Sequence, residues 1–302
     1  MDKNRKEQNE GFLASLIGER TPAKTAGLTY TAAALAIFAV SLLLVILISV
    51  LPMGEDCRLY LIYLASPIAF LLVGVWYFTY TKTPVKVFVK EQKCSVKYYL
   101  IAILLQVGLF GLSELNGVFI HFLERFGYEA DEIILPSMDG FGFVGVFLTI
   151  ALLPAVMEEF VFRGIFLRET KEFSLWKRVL ICGALFALYH QNPAQTIYQF
   201  VCGAAFALVA IRAGSILPTV LSHLINNGVI LLLTKLKITA FTPTVYAIIL
   251  TVSGVCLVSS LVYLLVFDRK GEEKKKGDYL SFFACAAFGI AILLLSWLAG
   301  LL

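Results

Sequence analysis

The sequence predicts an all-α, polytopic transmembrane bundle, and three observations carry that prediction. Of its 302 residues, 59% are hydrophobic and only 15% charged, whereas a soluble domain holds about 25% charged residues. Apolar runs long enough to cross a hydrocarbon layer recur along the whole chain, each needing about 20 residues to span roughly 30 Å. Lysine and arginine gather in alternate connections between those runs, as the positive-inside rule requires.

The apolar runs cover about 28–52, 59–80, 98–120, 141–168, 178–191, 195–212, 215–234, 242–267 and 279–301. They give nine expected spans, or eight if the short fifth does not cross. The chain divides accordingly into a cytoplasmic tail (1–27), three accessory helices (28–140), a helical core (141–235) and two further helices (236–302). With the N-terminus in the cytoplasm, the inside connections hold Lys82, Lys86, Lys90, Lys93 and Lys97, then Lys171 and Lys177, then Arg269, Lys270, Lys274, Lys275 and Lys276. The outside connections hold Arg58, Arg125, Lys235 and Lys237. Nine spans then place the C-terminus outside. The tail is not a signal peptide, because the apolar run after it is too long for an h-region. "GFLASLIGER" (11–20) reads either as an amphipathic surface segment or as plain tail.

Six scattered cysteines without a CxxC pair exclude a cysteine zinc site and give no disulfide framework. A net charge of +4 gives no reason to expect nucleic acid. The basic inside loops instead suit anionic lipid.

Against this apolar background, "MEEFVFRG" (157–164) places two glutamates and an arginine within one span. A charge at that depth costs about 2.5 kcal/mol or more, so it faces the bundle interior and marks function by default. Glu159 and Arg163 lie four apart and present an ion pair on one helical face, which structural pairing alone explains about as well as function does. Glu158 points about 100° away from Glu159 and needs another partner. Two of the three histidines, His190 and His223, fall in later apolar runs.

Counting from the basic residue at each span's inner edge, Glu158, His190 and His223 rise roughly 15, 18 and 16 Å into the membrane. Asn227 follows His223 by one turn on the same face. Three chemistries suit such a set. A carboxylate in an apolar site is a better base and can activate water, while imidazole and carboxamide donors stabilise an oxyanion. Glu158, His190 and His223 could instead ligate an open zinc site, although HExxH is absent. Or they line a proton or ion pathway, as in a transporter.

The residues resemble a known family. "MEEFVFRGIF" resembles the EExxxR motif of the CPBP intramembrane proteases, which include the type II, Rce1-like CAAX prenyl endopeptidases and bacteriocin-processing or immunity proteins. "FALYH" is similar to FxxxH, and "RAGSILPTVLSHLINN" to the region ending in HxxxN. The resemblance covers about residues 141–234. It implies a membrane endopeptidase in which Glu158 and His190 activate water and His223 with Asn227 stabilises the oxyanion. Glu159 and Arg163 then orient the site, and Phe186 packs beside it. No cofactor is needed on that reading, with zinc the alternative. The implied partners are membrane lipid and a peptide or lipidated protein, such as a prenylated protein or a bacteriocin or signalling-peptide leader. The implied location is the cell membrane, or the endoplasmic reticulum in a eukaryote. A non-catalytic immunity or peptide-binding protein is the rival within the family.

"NPAQT" (192–196) ends the helix after His190, and Pro154 is expected to kink the fourth span and open room for water.

Overall fold

A computed structural model describes residues 19–90, 92–130, 133–269 and 276–301. The greater part of the "GFLASLIGER" segment and Lys270, Lys274 and Lys275 lie outside the described residues. The described chain is helical with no strand. Its elements are α1 (Pro22–Val50), α2 (Glu55–Thr81), the short α3 (Val85–Lys90), α4 (Val96–Phe110), α5 (Ser113–Glu124), α6 (Gly142–Glu169), α7 (Leu175–Tyr189), α8 (Thr196–Ala213), α9 (Leu217–Lys235), α10 (Pro243–Phe267) and α11 (Tyr279–Ala299).

Large apolar side chains lie on the outside of the helices, and several polar groups lie inside. Leu42, Val50 and Leu295 are 62, 72 and 66% exposed, while Gln106 and Glu159 are fully buried. Lipid tails are as apolar as leucine, so no hydrophobic force pulls these helices together. Close backbone packing and interhelical hydrogen bonds do that work instead. α1 and α11 illustrate both. A Cβ on Gly289 would lie 2.7 Å from Thr31 Cα, and Thr31 Oγ1 donates to the Cys285 carbonyl at 2.7 Å. The first and last helices thereby close the bundle.

Two boundaries differ from the sequence expectation. The third span is broken at Gly111–Leu112 into α4 and α5, and the pair together counts as one span, Val96–Glu124. α5 is held by Asn116, whose Nδ2 donates to the Ala194 carbonyl and whose Oδ1 accepts from Tyr198 N–H. The second difference concerns number. Among the described residues eight helices are long and apolar enough to span a membrane, the lower of the two numbers that the sequence allowed. The missing one is α7, whose 15 residues rise only about 22 Å. Its ends nonetheless match those of α11. Phe173, just before α7, packs on Tyr279 at 4.4 Å between ring centroids. Beyond α7, Thr196 Oγ1 accepts from Trp297 Nε1 at 2.8 Å. With the connection Asn192–Gln195, α7 runs alongside α11 from Tyr279 to Trp297.

α6 is irregular where it matters. Phe147–Leu152 and Phe160–Phe166 are π-helical, flanking an α-helical Leu153–Glu159. Such stretches concentrate at functional sites. Pro154 follows the first π-helical stretch and has no N–H to donate, and Asn227 Nδ2 donates to the Ile150 carbonyl at 3.4 Å.

Gly289→Leu should destabilise the α1–α11 contact by about 1–3 kcal/mol or more, read as a lower unfolding midpoint in denaturing detergent. Leu295→Ala, on the exposed face, should leave the midpoint unchanged.

Candidate active site

The two glutamates diverge because the helix turns about 100° per residue. Glu159, fully buried, accepts from Arg163 Nη1 at 2.9 Å. Arg163 Nη2 donates to the Gly203 carbonyl at 3.2 Å. The same glycine lets α8 pack closely on α7: a Cβ on Gly203 would lie 2.9 Å from Gly183 Cα. Aromatic rings enclose the guanidinium, with Cζ 4.2 Å from the Phe186 centroid, 5.5 Å from Phe206 and 5.9 Å from Phe162. Cation–π attraction strengthens when the cation is desolvated.

Glu158 faces the other way, toward both imidazoles. His190 Nε2 and His223 Nε2 each lie 3.9 Å from Glu158 Oε2. Glu158 Oε2 is buried without a hydrogen-bond partner. The far nitrogens are both tied down. His190 Nδ1 lies 2.8 Å from the Phe186 carbonyl, and His223 Nδ1 lies 3.1 Å from Glu159 Oε1. Carbonyls and ionised carboxylates only accept, so both Nδ1 atoms carry protons. The Nε2 atoms are left to face Glu158.

His190 caps α7 rather than lying within it. Gln191 follows with φ +53°, a backbone state uncommon for a residue with a side chain. Asn192 Oδ1 then accepts from Ala194 N–H at 2.9 Å and starts a 3-10 turn at Pro193. This chain reversal aims the imidazole at α6. Phe186 stacks edge-on against it at 4.7 Å.

The structure therefore gathers Glu158, Glu159, Arg163, Phe186, His190 and His223. Asn227 stands one turn beyond His223 but hydrogen-bonds to Asn226 and Ile150 instead of to the others. Side chains at the mouth are slightly open: His190 is 17% exposed, Glu158 10% and His223 8%.

Residues 140–229 match the family model for type II CAAX prenyl endopeptidase, Rce1-like. This Rce1-like segment runs from the start of α6 into α9 and contains every residue of the cluster. It supports an intramembrane protease of the CAAX type in general. Together with eight helices able to span, it makes the chain a multi-pass membrane protein. No curated protein and no solved structure matches the chain.

Zinc chemistry in the Rce1-like segment would draw on both Nε2 atoms and Glu158. Ligands about 2.0–2.1 Å from a tetrahedral zinc stand about 3.3 Å apart, closer than the 3.9 Å separations here. Among the described residues no group of three or more His, Cys, Asp or Glu side chains is disposed to hold a metal ion.

Sequence reasoning passed over Gln106, Asn226 and Tyr198, which form a buried polar chain ending at Asn227. A glutamine in "LIAILLQVGLF" was the available signal, since polar residues at that depth are costly.

Arg163→Met should lower stability by about 3–5 kcal/mol, because Glu159 is left buried without its cation. Adding Glu159→Gln should recover most of the loss in thermal unfolding.

Proposed function

We propose that the chain is an intramembrane endopeptidase that hydrolyses a peptide bond with a water molecule activated by Glu158 and His190. One observation carries the reading: a buried carboxylate oxygen without a partner, flanked by two imidazole nitrogens at 3.9 Å. A water hydrogen-bonded at about 2.8 Å can bridge atoms at that separation.

The water oxygen bonds to the substrate carbonyl carbon while Glu158 takes its proton, with His190 Nε2 accepting the second hydrogen bond. The carbonyl oxygen becomes an oxyanion, which His223 and Asn227 meet as donors. Glu158 then returns the proton to the amide nitrogen as the C–N bond breaks. An acid and an amine leave, and the carboxylate is restored. To donate from Nε2 while Nδ1 donates to Glu159, His223 must hold both protons. The cation so formed, with Arg163, balances Glu158 and Glu159, leaving the buried cluster neutral.

The Rce1-like match favours a substrate whose lipid lies in the bilayer and whose peptide reaches the site from the membrane, such as a prenylated CAAX-type peptide. No metal takes part in this scheme.

Glu158→Gln should reduce turnover of a quenched, prenylated CAAX-type peptide by about 10²–10⁴-fold with thermal unfolding unchanged. Full activity in this variant sinks the proposal. A non-catalytic peptide binder predicts no turnover in the parent protein and equal peptide binding in both.

Treatment of the active protein with 1,10-phenanthroline should leave the rate unchanged. Loss of activity that added zinc restores would put a metal in place of the glutamate mechanism.

A further inference from the structure

We infer that Gln106, on an accessory helix outside the Rce1-like segment, is a positioning residue for the Asn227 carboxamide, acting through Asn226 with Tyr198 as a second anchor. The inference rests on the proposed oxyanion role of Asn227.

α4 and α9 run in the same direction and in register. Ser222 Oγ donates to the Ala102 carbonyl at 2.7 Å. One turn later on both helices, Gln106 Nε2 donates to Asn226 Oδ1 at 3.0 Å. Tyr198 of α8 donates to the same Oδ1 at 2.9 Å. Asn226 Nδ2 donates to Asn227 Oδ1 at 3.2 Å, and Asn227 Nδ2 donates to the Ile150 carbonyl at 3.4 Å.

The direction of this chain follows from one atom. A backbone carbonyl only accepts, so the group that Asn227 turns toward Ile150 is its NH₂. Its Oδ1 therefore faces Asn226, whose facing group must be the donor Nδ2. Asn226 Oδ1 is then left for Gln106 and Tyr198, both of which must donate. No amide in the chain can flip without setting two acceptors or two donors face to face.

The consequence reaches the site. With its oxygen held by Asn226, Asn227 presents only N–H groups, one to Ile150 and one for a substrate oxygen. That is the polarity an oxyanion requires. Gln106 is fully buried and its Oε1 has no hydrogen-bond partner. Satisfaction of its own hydrogen bonds thus does not account for this glutamine among apolar neighbours, whereas its donor to Asn226 serves the alignment.

The test uses the full-length protein in detergent and a quenched, prenylated CAAX-type peptide. Gln106→Met removes the donor at similar volume, and Tyr198→Phe removes one hydroxyl and keeps the ring. Each should lower kcat about fivefold to tenfold, the size expected for one hydrogen bond, with KM within about twofold. Asn227→Ala should lower kcat by about 10²-fold. In the Asn227→Ala background, Gln106→Met should have no further effect on kcat, since there is no carboxamide left to align. A kcat loss of equal size in both backgrounds means a general structural role and overturns the inference. Unchanged kcat in both Gln106→Met and Tyr198→Phe, with Asn227→Ala impaired, overturns it while leaving the proposed function standing. Full activity in Asn227→Ala removes the oxyanion role itself, and this inference with it.

Discussion

Arg163 is the group on which the site depends. Its guanidinium neutralises Glu159 in a place without water, and its second arm reaches the Gly203 backbone on α8. Glu159 in turn holds His223 Nδ1 on α9. One cation thus ties α6, α8 and α9 together and sets the orientation of an imidazole. An unpaired charge at this depth is costly enough that the three helices have few alternative arrangements. Glu158 is released from structural duty by the same pair and is free to face the mouth of the site.

Outside that cluster, polar bonding does what hydrophobic burial does in water. Bonds from Thr31, Asn116, Ser222 and Trp297 each join neighbouring helices. Two of them, from Asn116 and Trp297, secure the chain reversal after His190. They fix the end of α7, a helix too short to cross by itself, at the level where its last imidazole meets α6. The irregularity of α6 belongs to the same design. Its Ile150 carbonyl accepts from Asn227 Nδ2, and the polarity of the Gln106 chain follows from that one acceptor.

Much of this was legible in the sequence. Hydropathy and basic-residue alternation gave the helical class and nearly every span, because a helix in lipid must satisfy its backbone internally and so declares itself over about 20 local residues. Equal depth along three spans singled out Glu158, His190 and His223, which the structure brings together around Glu158 Oε2. The sequence reading gave Glu159 to Arg163 alone. His223 shares it, because the glutamate's second neighbour lies 64 residues away and only packing decides which helix stands there.

Local composition by itself determined that the chain is a bundle of apolar helices and that a few ionisable residues must face inward. Tertiary structure alone decided that α7 and its loop lie alongside α11, that α4 breaks from α5 and that Gln106 meets Asn226. The reason is physical. Helical periodicity acts over a few residues and is written in the chain, whereas rotation and register between helices emerge only when all the packed surfaces are satisfied at once.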